Sequence, residues 1–153
     1  MTIILNGTTG ITSPGGDTQA ADTTINGLTV GRGAGDVSSN TAVGESALAA
    51  NTSGGGNAAL SRLALVGNTT GNDNTSAGNS SLQYNTTGSS NTAFGSQALH
   101  TNTTASNNTA VGYQAGYSNT TGTQNVFLGR FTGLFSTSSY NTFVGDTSGY
   151  NST

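Results

Sequence analysis

Apolar and polar positions recur along this chain with a period of 17 residues. The consensus is N-T-A-V-G-x-x-A-L-x-x-N-T-T-G-x-x, and the last spacing alone is 16. The Asn that opens each repeat stands at Asn40, Asn57, Asn74, Asn91, Asn108, Asn125 and Asn141. A unit this short cannot bury its own apolar face, but it can do so by stacking on its neighbours. The period therefore predicts a solenoid.

Two positions of the repeat carry large apolar residues in most copies, and we predict that both columns point inward as the structural core. One column lies three residues after the first Asn and comprises Val43, Leu60, Ala77, Phe94, Val111, Leu128 and Val144. The other lies five residues further on and comprises Leu48, Leu65, Leu82 and Leu99. A Gly usually follows the first column, which indicates a turn with positive φ or a close backbone approach.

The pattern within one repeat favours β-structure. Gly and β-branched Thr recur too often for a helix, and no period of 3.6 residues appears. We predict two short strands and two turns per repeat, with Asn and Gly as turn residues. The fold class is then an all-β parallel β-roll or solenoid of about seven coils of 16–17 residues, in which the Asn and Thr columns form turn-stabilising hydrogen-bond ladders.

Residues 1–39 do not follow the repeat, so two segments are predicted: an N-terminal arm at 1–39 and a β-roll domain at 40–153. The arm contains an apolar strand candidate at Ile3, Ile4 and Leu5. It could dock on a partner by adding a strand to the partner's sheet. It could equally cap the first coil, as terminal repeats require.

One coil would bury two or three apolar side chains, which is little for an isolated solenoid. Packing three rolls around a common axis would bury a further face, and closed cyclic symmetry is usual for homo-oligomers. We expect the small column to make that contact; it comprises Ala42, Ala59, Ser76, Ala93 and Ala110. Its last members, Phe127 and Phe143, could fill space along the axis. The sequence thus favours a homotrimer.

Aromatic residues gather at the C-terminal end. Phe131, Phe135, Tyr140 and Tyr150 could form a contact surface, because aromatic residues are enriched in recognition sites. They could also fill a wider terminal coil, and packing is the interpretation we prefer.

Composition excludes several classes of protein. Leu, Ile, Val and Phe number 26 of 153 residues, a proportion at which disorder becomes possible. Charged residues are 6% and the net charge is -3, which is low for a disordered chain. Three Arg and no Lys argue against nucleic-acid binding. No apolar run is long enough for membrane insertion, and the N-terminus has no secretory signal pattern.

The residues offer little for catalysis, and we predict no catalytic, cofactor or metal site. The six carboxylates form no pair along the repeat, although Glu45 and Asp146 share a column six coils apart. His100 is the only His, and we expect it at the surface. The chain has no Cys, so disulfides and thiolate metal sites are excluded. We therefore predict that the protein is not an enzyme.

Two families resemble the repeats. N-T-A-V-G at 40–44 and 108–112, with N-T-A-F-G at 91–95, resembles the head repeats of trimeric autotransporter adhesins, whose members form left-handed parallel β-rolls that trimerise. The stretch N-T-A-V-G-Y-Q-A-G-Y-S-N-T-T-G at 108–122 is closer to repeats in bacteriophage fibre and other virion proteins. The opening at 1–15 also resembles the starts of phage tail-fibre-like proteins. The repeats here are not accompanied by the coiled-coil stalk and membrane anchor of an adhesin, so we expect a virion protein rather than an adhesin.

The resemblance implies a virion structural protein, on the tail or the capsid surface. Its expected partners are its own copies and other virion proteins through the arm, with a host cell surface as a further candidate. Two alternatives remain. A bacterial surface adhesin head is one. An ice-binding solenoid is the other, with a hydroxyl array formed by Thr52, Thr69, Thr86, Thr103 and Thr120.

Overall fold

A computed structural model describes residues 4–6, 10–12, 23–25 and 28–152. These residues form an all-β structure with one 3-10 turn at Ala34–Asp36. The N-terminal strands are β1 (Ile4–Asn6), β2 (Gly10–Thr12), β3 (Thr23–Ile25) and β4 (Leu28–Gly31). The repeats supply β5 (Thr41–Val43), β6 (Ala58–Leu60), β7 (Thr75–Ala77), β8 (Thr92–Phe94), β9 (Thr109–Val111), β10 (Val126–Leu128) and β11 (Thr142–Val144).

Strands β5 to β11 stack as consecutive neighbours in one parallel sheet. Each residue pairs with the residue one repeat away: Ala42 lies beside Ala59, and Phe127 lies beside Phe143. The chain thus makes one turn per repeat, and the seven strands bound six turns of a β-solenoid. This confirms the fold class predicted from the 17-residue period.

The sheet continues past the first coil in the antiparallel direction. Strand β4 pairs with β5 through Val30 opposite Val43, and β3 pairs with β4. The edge of β5 is therefore covered by strand β4, as expected of a capping segment. Strands β1 and β2 form a separate antiparallel hairpin, which includes Ile4 and Leu5 of the candidate docking segment. Ile3 lies outside the described residues.

The second strand predicted in each repeat is wrong. The segment after the Gly consists of consecutive turns, because alternate residues adopt positive φ; in the first coil these are Ser46 (58°) and Leu48 (53°). The amide of Leu48 still donates to the carbonyl of Ala64 in the next coil (3.1 Å). Adjacent coils are thus joined along this segment by hydrogen bonds without a strand.

The interior is lined by two columns, and only one of them was predicted correctly. Leu48, Leu65, Leu82 and Leu99 are 0% exposed, as the sequence predicted. The column of Val43 and its equivalents, which was also predicted to point inward, points outward instead. The sheet residues that face the interior belong to the small column: Ala42, Ala59, Ser76, Ala93, Ala110 and Phe127, each 0% exposed. These residues pack against the Leu column and do not line a contact between copies.

The outward column corrects the predicted core. Leu60, Phe94, Leu128 and Val144 are 43%, 59%, 45% and 61% exposed, and Val43 and Val111 are partly exposed. Successive residues of a strand point to opposite faces, so burial of the middle residue turns the third one outward. The coil is narrow enough for an Ala on the sheet side to meet a Leu from the turn side. No room is left for a second large side chain.

Candidate functional site

Two columns of buried Asn hold the coils together. In the first, the side-chain oxygen of each Asn accepts a hydrogen bond from the backbone amide of the Asn one coil later. The Asn57 amide donates to Asn40 Oδ1 at 2.9 Å, and the same bond recurs up to the Asn141 amide with Asn125 Oδ1. This ladder was predicted from the sequence. It covers Asn40, Asn57, Asn74, Asn91, Asn108, Asn125 and Asn141.

In the second Asn column, the side chain of one Asn donates a hydrogen bond to the side chain of the Asn one coil earlier. Nδ2 of Asn68 donates to Oδ1 of Asn51 at 3.0 Å, and Nδ2 of Asn85 donates to Oδ1 of Asn68 at 2.8 Å. Asn102 continues the series with a 2.7 Å bond to Asn85 Oδ1. Asn119 is equally buried, but the side-chain oxygens of Asn102 and Asn119 have no partner among the described residues.

The two ladders meet at one carbonyl in each coil. The carbonyl of Gly54 accepts Nδ2 of Asn40 at 2.8 Å and Nδ2 of Asn51 at 3.1 Å. Equivalent pairs of bonds converge on Gly71, Gly88, Ala105 and Gly122. The Asn that begins each coil and the Asn of the turn that ends it are thereby linked through one shared carbonyl. Buried amides satisfied in this way replace much of an apolar core.

The Thr column considered for an ice-binding array serves the same stacking. Thr52 Oγ1 donates to the Thr69 carbonyl at 2.9 Å, and that carbonyl also accepts the Thr52 amide at 2.9 Å. The hydroxyls of Thr69, Thr86 and Thr103 repeat this bond with the next coil. Each hydroxyl has one hydrogen, so these side chains use their donor within the protein.

The sheet presents an apolar column to solvent, which we name the outer apolar column. It comprises Val30, Val43, Leu60, Ala77, Phe94, Val111, Leu128 and Val144, which stand side by side on successive strands. The neighbouring outward column is mostly Thr, as at Thr41 and Thr75, with Val126 the large apolar exception. These two columns carry no charged residue.

Charged side chains lie beyond this face and pair between coils. Arg62 Nε donates to Glu45 Oε2 at 3.0 Å, and Arg130 holds Asp146 through two bonds of 2.9 Å. The hydrogen bond from Arg130 lowers the pKa of the Asp146 carboxyl, and the same bond raises the pKa of the guanidinium. Arg32 pairs with Asp36 at 3.1 Å. All three Arg are thus engaged with carboxylates.

His100 is buried, contrary to the surface position expected from the sequence. It is 8% exposed and its ring stacks on Tyr117, with centroids 4.9 Å apart. The edge of Tyr84 approaches it from the other side, at 5.1 Å. Its Nδ1 lies 3.0 Å from the Ser80 carbonyl, which can only accept, so this nitrogen carries the proton. His100 is a packing residue.

The C-terminal aromatic residues pair with one another at the surface. Phe135 and Tyr150 make an edge contact at 5.3 Å and remain 50% and 38% exposed. Phe131 meets the edge of Tyr113 at 5.3 Å, and the Arg130 guanidinium lies over its ring. Tyr140 is 76% exposed. Their pairing fits the packing interpretation in part, and their exposure leaves a contact surface open as a prediction.

Across residues 28–152 and the three short N-terminal strands, no group of three or more His, Cys, Asp or Glu side chains could hold a metal ion. The same part of the chain has no helix of the length and hydropathy that crossing a membrane requires.

Comparison with known proteins gives no relative. No protein-family model, no curated protein and no solved structure matches the chain at a significant level. The resemblance of the repeats to phage fibre proteins and adhesin heads therefore remains a prediction from the sequence.

Proposed function

We propose that this protein is a non-enzymatic structural element of a bacteriophage virion, a short trimeric fibre, spike or capsid decoration. The observation that carries the proposal is the continuity of the asparagine ladders. Six successive coils repeat the same bond between a side-chain oxygen and the next backbone amide, from Asn40 to Asn141. Such a ladder repeats the same bond at every level, and it builds length and rigidity.

The dimensions suit a short spacer. Parallel strands lie about 4.8 Å apart, so six steps from β5 to β11 give a rod about 29 Å long. The buried side chains along this rod are mostly Ala, Leu, Asn and Ser, with Phe127, Thr132 and His100, and most of them are engaged in packing and ladders. The functional surface is then the outside of the rod.

The proposed partners follow from the two ends. The N-terminal arm, residues 1–39, would attach the rod to other virion proteins, with β1 and β2 as the docking hairpin and β3 and β4 as the cap. The exposed Phe135, Tyr140 and Tyr150 at the opposite end would face outward, towards a host surface.

The bacterial adhesin head remains an alternative, since it rests on the same repeats. The ice-binding alternative is weaker for two reasons. The Thr52 column gives its hydroxyl hydrogens to backbone carbonyls. On the flat sheet face, Leu60, Phe94 and Leu128 project between the Thr residues. A regular hydroxyl array is thereby interrupted.

The solution mass tests the proposal first. We expect light scattering after size exclusion to give three times the chain mass of 15.1 kDa. A monomer at micromolar concentration would contradict the trimer. Detection of the chain in purified phage particles by mass spectrometry, or its absence from them, then decides the virion assignment separately.

A further inference from the structure

Among the described residues, the outer apolar column is a surface feature that the coil stack itself does not explain. Leu60, Phe94 and Val144 are roughly half exposed, in a chain where apolar residues are few. The outward positions of β5 to β11 span about 29 Å across the strands and about 10 Å along each three-residue strand, an apolar and Thr-lined area of roughly 290 Å². Contiguous apolar patches of a few hundred Å² mark interaction sites.

We infer that this face is where copies of the chain meet one another, in parallel and in register around a common axis. The inference rests on the proposed trimer and names the surface that forms it. It also replaces the small column, which the structure places inside the coil: Ala59 and Ala93 are 0% exposed.

The absence of charge on this face favours a second copy as the occupant. In a parallel cyclic assembly, each residue near the axis meets the same residue of its neighbours. A charged residue there would meet its own charge, and like charges facing each other are destabilising. The two outward columns of β5 to β11 hold Thr, Ala, Val, Leu and Phe, and the charged column of Glu45, Arg62, Arg130 and Asp146 begins two residues further along the chain.

The extent of the face supports the same occupant. A single unrelated ligand would need a local site, whereas this face is apolar in every coil from Val43 to Val144 and continues onto Val30 of the cap. Only a partner as long as the rod and with the same repeat would cover it fully. Parallel packing also brings all N-terminal arms to one end, as attachment of a fibre requires.

Side-chain size varies along the outer apolar column in a way that suits an assembly in which identical residues of several copies meet at each level. The largest side chain, Phe94, is followed on one side by Ala77 and on the other by Val111. Rings of Phe94 from several copies at one level would find space above the smaller side chains at the adjacent levels. The alternation of large and small residues is how facing layers fill space without strain.

Single cysteines test the face directly. The chain has no Cys, so an introduced thiol can form a disulfide only with another copy. We expect Val111→Cys, oxidised with a mild reagent, to give a covalent dimer on a non-reducing gel in most of the protein. Tyr84→Cys is the matched control, because Tyr84 is 52% exposed but lies outside this face. Equal crosslinking of both variants, or crosslinking of Tyr84→Cys alone, would overturn the inference.

Register is tested by mixing Val43→Cys with Val144→Cys after unfolding and refolding together, with one chain carrying a size tag. Parallel copies in register give dimers of 43 with 43 and of 144 with 144, and heterologous 43–144 dimers are not expected. An antiparallel pair gives the mixed dimer, and that outcome would reject the parallel arrangement.

A charged substitution distinguishes a failure of the proposed face from a failure of the proposed trimer. We expect Phe94→Asp to reduce the solution mass from trimer to monomer, while circular dichroism keeps the wild-type spectrum because Phe94 is 59% exposed. Tyr84→Asp should remain trimeric. If Phe94→Asp stays trimeric and Tyr84→Asp dissociates, the face is wrong and the proposed trimer stands. If the wild-type chain is itself a monomer, both are rejected.

Discussion

The ring of Phe127 occupies the space in which a side chain at Gly116 would stand. A Cβ placed on Gly116 would lie 2.6 Å from Phe127 Cδ2, and one on Gly133 would lie 2.4 Å from Cδ1. Gly116 and Gly133 continue the column of Leu48, Leu65, Leu82 and Leu99. One Phe on the sheet side thus fills the interior that two Leu residues on the turn side would fill in the earlier coils.

This exchange predicts a compensating set of substitutions. Phe127→Ala alone should lower the free energy of unfolding by about 3–5 kcal/mol, because it leaves an unfilled cavity between two Gly residues. Gly116→Leu or Gly133→Leu alone should also destabilise the protein, because the new side chain meets the Phe127 ring. The triple variant restores the Ala and Leu pattern of the first four coils, including Leu at a positive φ.

Urea unfolding of the four variants measures the coupling. We expect the triple variant to be more stable than Phe127→Ala by at least 1 kcal/mol, which is outside the usual additivity error. Additive losses in the triple variant would mean that the two columns do not share one space.

The period of the sequence was sufficient to predict the solenoid and the Asn ladders, since both depend only on identical residues stacking one coil apart. The direction of the strand residues was not predictable in the same way. Ala42 and Val43 are both apolar, and a shift of one residue exchanges the two faces of a strand. Size alone favours Val43 over Ala42 for the core, but the Leu column fills the volume that Val43 would need.

One signal in the sequence could have corrected this. Where the Leu column changes to Gly116 and Gly133, the small column changes to Phe127. The outer apolar column shows no such compensation, since Val111 and Leu128 are of the same kind as Val43 and Leu60 in the earlier coils. Two columns whose volumes compensate must share an interior. The second strand was wrongly predicted for a different reason: Leu48 and its equivalents adopt a positive φ, which local preference disfavours for a non-Gly residue.

The ion pair between Arg130 and Asp146 predicts a pH effect. The hydrogen bond from Arg130 lowers the pKa of Asp146 in the folded state below its unfolded value. The stabilisation is therefore present above the unfolded pKa and is lost as the pH falls through the folded pKa. We expect the melting temperature of the wild type to exceed that of Asp146→Asn at pH 6.

That difference should shrink below a pH of about 4, the ordinary range for an Asp carboxyl. Both side chains are more than half exposed, so the difference should also decrease in 1 M salt. A difference that stays constant from pH 6 to pH 2 would assign the effect of the substitution to something other than the charge.

Ser61 occupies a position that other coils fill with Gly. Its φ is 142°, and the equivalent Gly44 and Gly95 both have φ of 135°. A residue with a Cβ is strained in this region, at a cost of order 1–3 kcal/mol. We expect Ser61→Gly to raise the free energy of unfolding by about 1 kcal/mol, after the entropy cost of Gly in the unfolded chain.

Ser96 provides the matched control for this substitution. It is partly exposed, follows Gly95 directly, and is not among the residues with positive φ. Ser96→Gly should therefore be neutral or destabilising. Stabilisation by both substitutions would point to a general effect of Gly on this fold, and the strain at Ser61 would not be its cause.

Asn85 is the central member of the second ladder and is 0% exposed. Its Nδ2 donates to Asn68 Oδ1 at 2.8 Å and to the Gly88 carbonyl at 2.9 Å, and its Oδ1 accepts Nδ2 of Asn102 at 2.7 Å. Asn85→Ala removes all three bonds and leaves Asn68 Oδ1 buried without that donor. Each unsatisfied buried group costs about 1–3 kcal/mol, so we expect a total loss above 3 kcal/mol.

Asn79→Ala is the control, since Asn79 is exposed and its side chain accepts one bond, from Ser80 Oγ. We expect its unfolding free energy to change by less than about 0.5 kcal/mol, as for most surface substitutions. Asn85→Asp is the sharper variant, because it keeps the shape and the acceptor but replaces the donor with a second oxygen facing Asn68 Oδ1 and the Gly88 carbonyl. If the ladder stabilises the rod through its donors, Asn85→Asp at neutral pH should be at least as damaging as Asn85→Ala, and equal stability of Asn85→Asp and wild type would refute that role.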